Sequence, residues 1–242
     1  MVRGEVEAGI SRDRNMIVAF TGLDGSGKTL QAKALVDSLA KDGIHSTYVW
    51  SRWSPLFLRP AIRLGKMLLG RKGNSEDEKY QSFLHGKRQL FRRSAVARAW
   101  QILALVDYYL QVLVKIKLRS RRGRVIACDR YVHDLLVDLG ISFGYGAEGI
   151  PQLFKSRVLS LFPKPDLVFL FDLPADVAFQ RKEDVTLSYL RDRRALYLSL
   201  GELSGVDVLD GTASIQDLRK TIHRKTLDFL DKRRLGESPE RS

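Results

Sequence analysis

"TGLDGSGKT" at residues 21–29 follows the apolar run "MIVAFTG" (16–22) and leads into "LQAKALVDSLAKDG" (30–43). A short apolar run ending at glycine has the form of a strand buried on both faces. In the segment after the loop, Leu30, Ala34, Leu35, Val36 and Leu39 fall near helical spacing, and Gly43 suits a C-terminal stop. Gly22, Gly27, Lys28 and Thr29 match G-x-x-x-x-G-K-[ST] in the strand, loop and helix context the motif requires. The chemistry explains each residue type. Glycines let the backbone wrap so that successive N–H groups point at phosphate oxygens, with the helix dipole behind them. Lys28 is placed to reach the β- and γ-phosphates, and the Thr29 hydroxyl to ligate Mg²⁺. The stretch predicts a nucleoside triphosphate site built from Gly22, Asp24, Gly25, Ser26, Gly27, Lys28, Thr29 and Leu30.

Outward from that loop the chain alternates strands and helices. Further strands are expected at 45–50, 124–128, 165–173 and 206–210. Helices are expected at about 55–70, 80–120, 132–140, 150–162, 174–182, 185–201 and 214–232. Short apolar strands separated by helices imply a parallel sheet covered on both faces. Ligands of such sheets bind at the carboxyl ends of the strands, so the loops after residues 22, 50, 128, 172 and 210 should share one face. No Asn-Lys-x-Asp guanine signature and no long insertion of the kind an ATP-driven motor needs is present, which favours a small phosphotransferase.

With 242 residues, 44% of them apolar, the chain can bury one good core as one domain. Residues 1–14 read as a flexible lead-in, 15–232 as the domain and 233–242 as a polar tail. No apolar run reaches the roughly 18 residues a membrane-spanning helix needs. The single cysteine, Cys128, fits a reducing compartment, so the cytoplasm is the expected location. The net charge of +13 is concentrated: residues 51–124 hold 18 Lys or Arg against 4 Asp or Glu, a balance of +14. Within it, "SPLFLRPAIRLGKMLLGRKG" (54–73) is a basic amphipathic segment. It fits a helix packed on its own domain, a flap over an acceptor phosphate, or a helix lying on an anionic membrane, the last not favoured. No nucleic-acid-binding module accompanies the charge.

"VIACDRY" (125–131) sets an acid and an arginine at the end of the third strand. There Asp129 can hold Mg²⁺ directly or through water, and the Arg130 fork can bind a phosphate. With "TGLDGSGKT", the helix "LALVDYYLQVLVKIKLRSRRG", "KPDLVFLFDLPADVAFQRK" and "VDVLDGTASIQDL" following in family order, the chain resembles the thymidylate kinase family over about residues 15–230. The resemblance implies a three-layer α/β P-loop NTPase fold with a five-stranded parallel sheet and helices on both faces. It implies transfer of the ATP γ-phosphoryl to a nucleoside monophosphate, with Mg²⁺, and a common habit of forming homodimers. Asp24 then takes the acidic position that contacts the acceptor's sugar hydroxyl, and Arg130 binds the acceptor phosphate. Arg181, with Lys182 and one of Arg191, Arg193 or Arg194, belongs to a small lid at about 181–194.

The pattern departs from the family where the acceptor base is read. Tyr108 stands where these kinases carry an arginine on the long helix. "VHDLLVDLG" replaces a Ser and a Tyr-Gln pair, and "WSRWSP" replaces an Arg-Glu-Pro stretch. Arg52, Tyr108 and His133 are thus expected acceptor contacts, and Asp134 is a candidate for orienting the acceptor. Trp50, Trp53, Tyr108 and His133 could stack a base or be ordinary core. The reading is phosphorylation of dTMP to dTDP. The alternatives are another nucleotide, nucleoside or sugar-type acceptor, or a non-catalytic ATP-binding or membrane-surface role.

Overall fold

The computed structural model describes residues 15–55, 94–119, 124–146, 148–154, 159–181, 185–203 and 205–235, with the isolated positions 59, 63, 78, 82 and 85. The lead-in 1–14, most of the basic segment 54–73, Lys182 and the end of the polar tail lie outside the described residues. Five parallel strands form one sheet: β1 (Met16–Gly22), β2 (Ser46–Trp50), β3 (Val125–Asp129), β4 (Leu167–Asp172) and β5 (Val206–Asp210), in the order β2-β3-β1-β4-β5. The helices are α1 (Lys28–Lys41), α2 (Ser94–Arg119), α3 (Val132–Phe143), α4 (Gly149–Phe154), α5 (Ala175–Arg181), α6 (Leu187–Gly201) and α7 (Ile215–Arg234). The expected helix 150–162 is instead α4 followed by a 3₁₀ turn, Leu159–Leu161. Pro163 and Pro165 come next, and the residue before a proline is driven out of helical geometry.

The two-residue alternation of a strand decides which helices meet which residues. Met16, Val18 and Phe20 of β1, Val125 and Ala127 of β3, and Phe169 and Phe171 of β4 share one core with Ala32, Leu35 and Leu39 of α1 and Leu218, Ile222 and Leu230 of α7. Their neighbours Ile17, Ala19, Ile126, Cys128, Val168 and Leu170 face the other way, into a core with α2, α3, α4 and α6. Phe20 stacks on Phe171 with ring centroids 6.2 Å apart, welding the central pair of strands on the α1 side. Because the pattern has period two, Thr21 faces the α3 side, while Asp129 faces the α1 side along with Val125 and Ala127.

Helix α2 modifies one sequence expectation. Arg98–Ile116 has a mean hydropathy of 1.2 and is long and apolar enough, by length and composition alone, to cross a membrane. Ala104, Leu105, Tyr108 and Val112 of α2 are buried in the domain core. Ile102, Leu103, Val106, Leu110 and Val114 form an exposed row on the helix.

Candidate functional site

The phosphate-binding loop is shaped by backbone that only glycine tolerates. Gly22 has φ 135°, and a Cβ there would lie 2.5 Å from the carbonyl oxygen of Phe171 on the adjacent strand β4. Gly25 and Gly27 are left-handed (φ 84° and 87°), which wraps the chain back to start α1 at Lys28. No side chain caps α1 at Gly27, so its first N–H groups are available to an anion. Lys28 is buried; its Nζ donates to the Leu23 carbonyl and, at 3.3 Å, to Ser26 Oγ. Burial, with Arg130 adding to it, pulls the Lys28 amine down to about 8, against the opposing pull of Asp134, Asp24 and Asp129. The Leu30 side chain is 46% exposed, so this residue offers the loop its backbone alone.

The end of β3 brings Asp129 against Thr29 beside the loop. Asp129 Oδ2 accepts from Thr29 Oγ1 at 2.6 Å and from Tyr48 OH at 2.7 Å, while Asp129 Oδ1 is buried without a hydrogen-bond partner. A buried carboxylate oxygen left over beside a threonine hydroxyl suits a hard, oxygen-loving cation such as Mg²⁺, whose other ligands would be phosphate oxygens and water. Among the described residues no cluster of three His, Cys, Asp or Glu could hold a metal by protein ligands alone. Tyr48 was not anticipated from sequence. The register pairs Tyr48 with Ala127, which puts its ring on the same sheet face as Asp129, two residues on. Burial and the bond to Asp129 push the Tyr48 phenol well above its ordinary value.

Arg130 leaves β3 in a left-handed turn, φ 71°, the one positive φ of a non-glycine among the described residues. That conformation costs about 1–2 kcal/mol for an L-residue and persists where surroundings hold it. Its N–H still donates to Phe20 O at 2.9 Å, so the ladder with β1 survives the turn. The guanidinium pairs with Asp24 of the phosphate loop through Nη2 and with Asp134 Oδ1 through Nη1, at 3.1 Å. Burial alone would raise the Asp24 carboxyl. Arg130, then Lys28, Arg52 and Arg193, outweigh burial and hold it at about 2. Arg181 reaches the same loop from α5, donating from Nη1 to Gly25 O at 3.2 Å.

The remaining expected site residues divide. Arg52 adds to the positive field at Asp24. The structure does not bring Tyr108 and His133 to the site as direct contacts. Tyr108 is fully buried, its ring 5.7 Å from that of Phe162, and its hydroxyl donates to Ser51 O at 2.7 Å. It fixes the backbone next to Arg52 instead. The His133 ring stacks on Phe154 with centroids 5.2 Å apart and lines a cavity of about 310 Å³ with Pro163, Lys164, Pro165 and Asp166, residues that lead into the amino end of β4. Burial pulls the imidazole down to about 4, so it is neutral at physiological pH.

The arginines expected in a lid also separate. Arg191 pairs with Asp176 on the surface, and Arg194 makes two bonds to Asp172 of β4, at 2.7 and 2.9 Å. Arg193 is buried within α6, where it donates to Asp138, to Tyr189 OH at 2.8 Å and to Tyr197 OH at 3.0 Å. All three arginines lie within α6 (Leu187–Gly201). Asp134 and Asp138, one helical turn apart on α3, face Tyr189, Arg193 and Tyr197 on α6 in the same spacing.

A sequence model of the thymidylate kinase family matches residues 20–222, which include every part of this site. The chain belongs to the thymidylate kinase family. Its relatives include the thymidylate kinase of Ligilactobacillus salivarius (strain UCC118), 26% identical over 227 residues, covering 88% of this chain and 96% of that protein. A probable thymidylate kinase of Pyrococcus abyssi (strain GE5 / Orsay) is 26% identical over 221 residues, covering 86% and 94%. One of Metallosphaera sedula is 27% identical over 219 residues, covering 84% and 87%. Thymidylate kinases are ATP-dependent nucleotide kinases, and the five-stranded parallel sheet with its phosphate-binding loop is the fold expected of them. Identities near 25% carry the family and the chemistry common to it.

Proposed function

We propose that the protein transfers the γ-phosphoryl of ATP to dTMP, giving dTDP and ADP, with Mg²⁺. The observation that carries the reading is the arrangement around the phosphate loop. Arg130 and Arg181 approach the residue 22–29 loop, which carries Lys28, from two other elements, and Asp24 joins the loop to Arg130. A donor phosphate in the loop and an acceptor phosphate on Arg130 would then face each other.

In this reading the triphosphate lies along the N–H groups of the loop, and Lys28 exchanges the Leu23 carbonyl for β- and γ-phosphate oxygens. Thr29 and Asp129 would hold Mg²⁺, which when bound would neutralise phosphate charge. Arg130 holds the acceptor's phosphate, and Asp24 takes its sugar hydroxyl. An acceptor phosphate oxygen attacks the γ-phosphorus, the bond to the β–γ bridging oxygen breaks, and ADP leaves. The nucleophile belongs to the substrate, so the protein's contribution is alignment and charge neutralisation. Arg181, exposed at the end of α5 and already over Gly25, is placed to stabilise the transferring group and keep water away.

Arg130→Ala tests this directly. It should raise the KM for the acceptor or cut kcat by orders of magnitude while leaving ATP binding in place, as for a charge-assisted phosphate contact. A loss confined to ATP affinity would show that Arg130 serves the donor and that the acceptor site lies elsewhere.

A further inference from the structure

Arg130 is held by two carboxylates of different kinds. Asp24 belongs to the phosphate loop and has a side chain 13% exposed, open to exchange with a ligand. Asp134 has a side chain 4% exposed and is fully committed. Its Oδ2 accepts from Thr21 Oγ1 of β1 at 3.0 Å and from the Tyr131 N–H at 3.1 Å. Its Oδ1 accepts from Arg130 Nη1 at 3.1 Å and from Tyr197 OH of α6 at 2.9 Å. One carboxylate therefore caps the start of α3, clamps the Asp-Arg-Tyr turn to β1 and α6, and fixes one arm of the arginine.

The chemistry of the guanidinium gives this a consequence. Arginine has five N–H donors in a rigid fork. Asp134 takes one and Asp24 another, which leaves three for a phosphate even with both in place. Asp24 is the partner that can let go for the acceptor's sugar; Asp134 cannot without unpicking β1, α3 and α6. The left-handed backbone of Arg130 sets the direction in which its side chain leaves the strand, and Asp134 then sets where the fork comes to rest.

We infer that Asp134 is a positioning residue for catalysis: it anchors Arg130 so that the fork is already aimed at the acceptor's phosphate. The inference rests on the assignment of Arg130 to the acceptor given above. It places the departure of "VHDLLVDLG" from the family pattern in the aiming of the phosphate-binding arginine.

The test is a double-mutant cycle of Asp134→Asn and Arg130→Ala, reading kcat/KM for dTMP and the KM for ATP, with thermal unfolding of each variant. A misplacement of about 1 Å in a transferring group costs about 100-fold. Asp134→Asn should therefore lose about 100-fold in kcat/KM for dTMP, with the KM for ATP unchanged within about twofold. In the Arg130→Ala background the same change should cost about threefold or less, since there is no fork left to aim. Equal losses in both backgrounds, or a comparable rise in the KM for ATP, would make Asp134 a purely structural residue and overturn the inference. If Asp134→Asn does not fold, Tyr197→Phe removes one donor from the carboxylate and goes through the same cycle. Its smaller loss should again fall on dTMP and vanish without Arg130; additive losses overturn the inference here too. An Arg130→Ala effect on ATP alone contradicts the acceptor assignment itself. A normal Arg130→Ala result with an additive cycle contradicts only the role of Asp134.

Discussion

Raising the pH from 7 to 9.5 should disarm the phosphate loop at its lysine. Lys28 has an amine drawn from 10.5 to about 8 by burial and by Arg130. At pH 9.5 an amine of pKa 8 keeps its proton about 3% of the time, whereas one at 10.5 would keep it about 90% of the time. The kcat/KM for ATP, which reports the free enzyme, should thus fall about 30-fold between pH 7 and 9.5, tenfold per unit above about 8. The kcat profile should be flatter, because a bound triphosphate beside the ammonium favours its charged form. Unfolding through Lys28 is no confounder. Between pH 8 and 10.5 the unfolded chain binds the proton that the folded lysine has released, so this residue makes the fold more stable as pH rises. The assay is steady-state ADP formation with the acceptor held well below its KM, so that the free enzyme is the reference state, and with ATP varied at each pH. Lys28→Arg, which stays charged throughout, should be less active but flat. A wild-type profile flat to pH 9.5, or one that Lys28→Arg reproduces, would refute the electrostatic account of the loop.

Asp24→Asn should destabilise the fold by about 2 kcal/mol at pH 7, the equivalent of holding the carboxyl at about 2 instead of 3.8. That contribution is complete above 3.8 and is lost as pH falls through 2, so urea unfolding should find roughly half of it gone at pH 3; equal destabilisation at both pH values would contradict the assignment of the shift to Arg130 and its neighbours. Gly22→Ala should cost roughly 3 kcal/mol, an overpacking cost at the upper end, because its Cβ meets the backbone of Phe171 and not a side chain that can turn aside. A melting temperature equal to that of wild type would show that β1 and β4 can part more easily than their ladder implies.

The fold was largely legible. All five strands, and the helices among the described residues apart from the one expected at 150–162, lie close to where apolar periodicity and glycine placement put them, since a doubly covered parallel sheet writes itself as apolar runs. The donor loop was legible for a stronger reason: glycine spacing and Lys-Thr order are dictated by the phosphate itself. The side-chain partners around it were not. Tyr48 looks like any strand aromatic until the β2–β3 register sets it beside Asp129. Arg193 reads as surface charge beside Arg191 and Arg194, and only the packing of α3 on α6 buries it against Asp138. The spacing of Asp134 and Asp138, matched by Tyr189, Arg193 and Tyr197, was the available signal. Read as two facing helix stripes, it pointed to a buried polar contact and not to a lid. His133 and Asp134 adjoin in sequence, but Asp134 bonds Arg130 while the His133 ring stacks on Phe154.

If Lys28 and Arg130 serve two phosphates of one transfer to dTMP, ADP release with Mg-ATP against dTMP, dUMP, UMP, CMP, AMP, thymidine and several sugars will show it. Turnover should depend on a monophosphate acceptor, be greatest with dTMP and be abolished by Lys28→Ala. Turnover greatest with thymidine or a sugar, which bring no phosphate to Arg130, would contradict it.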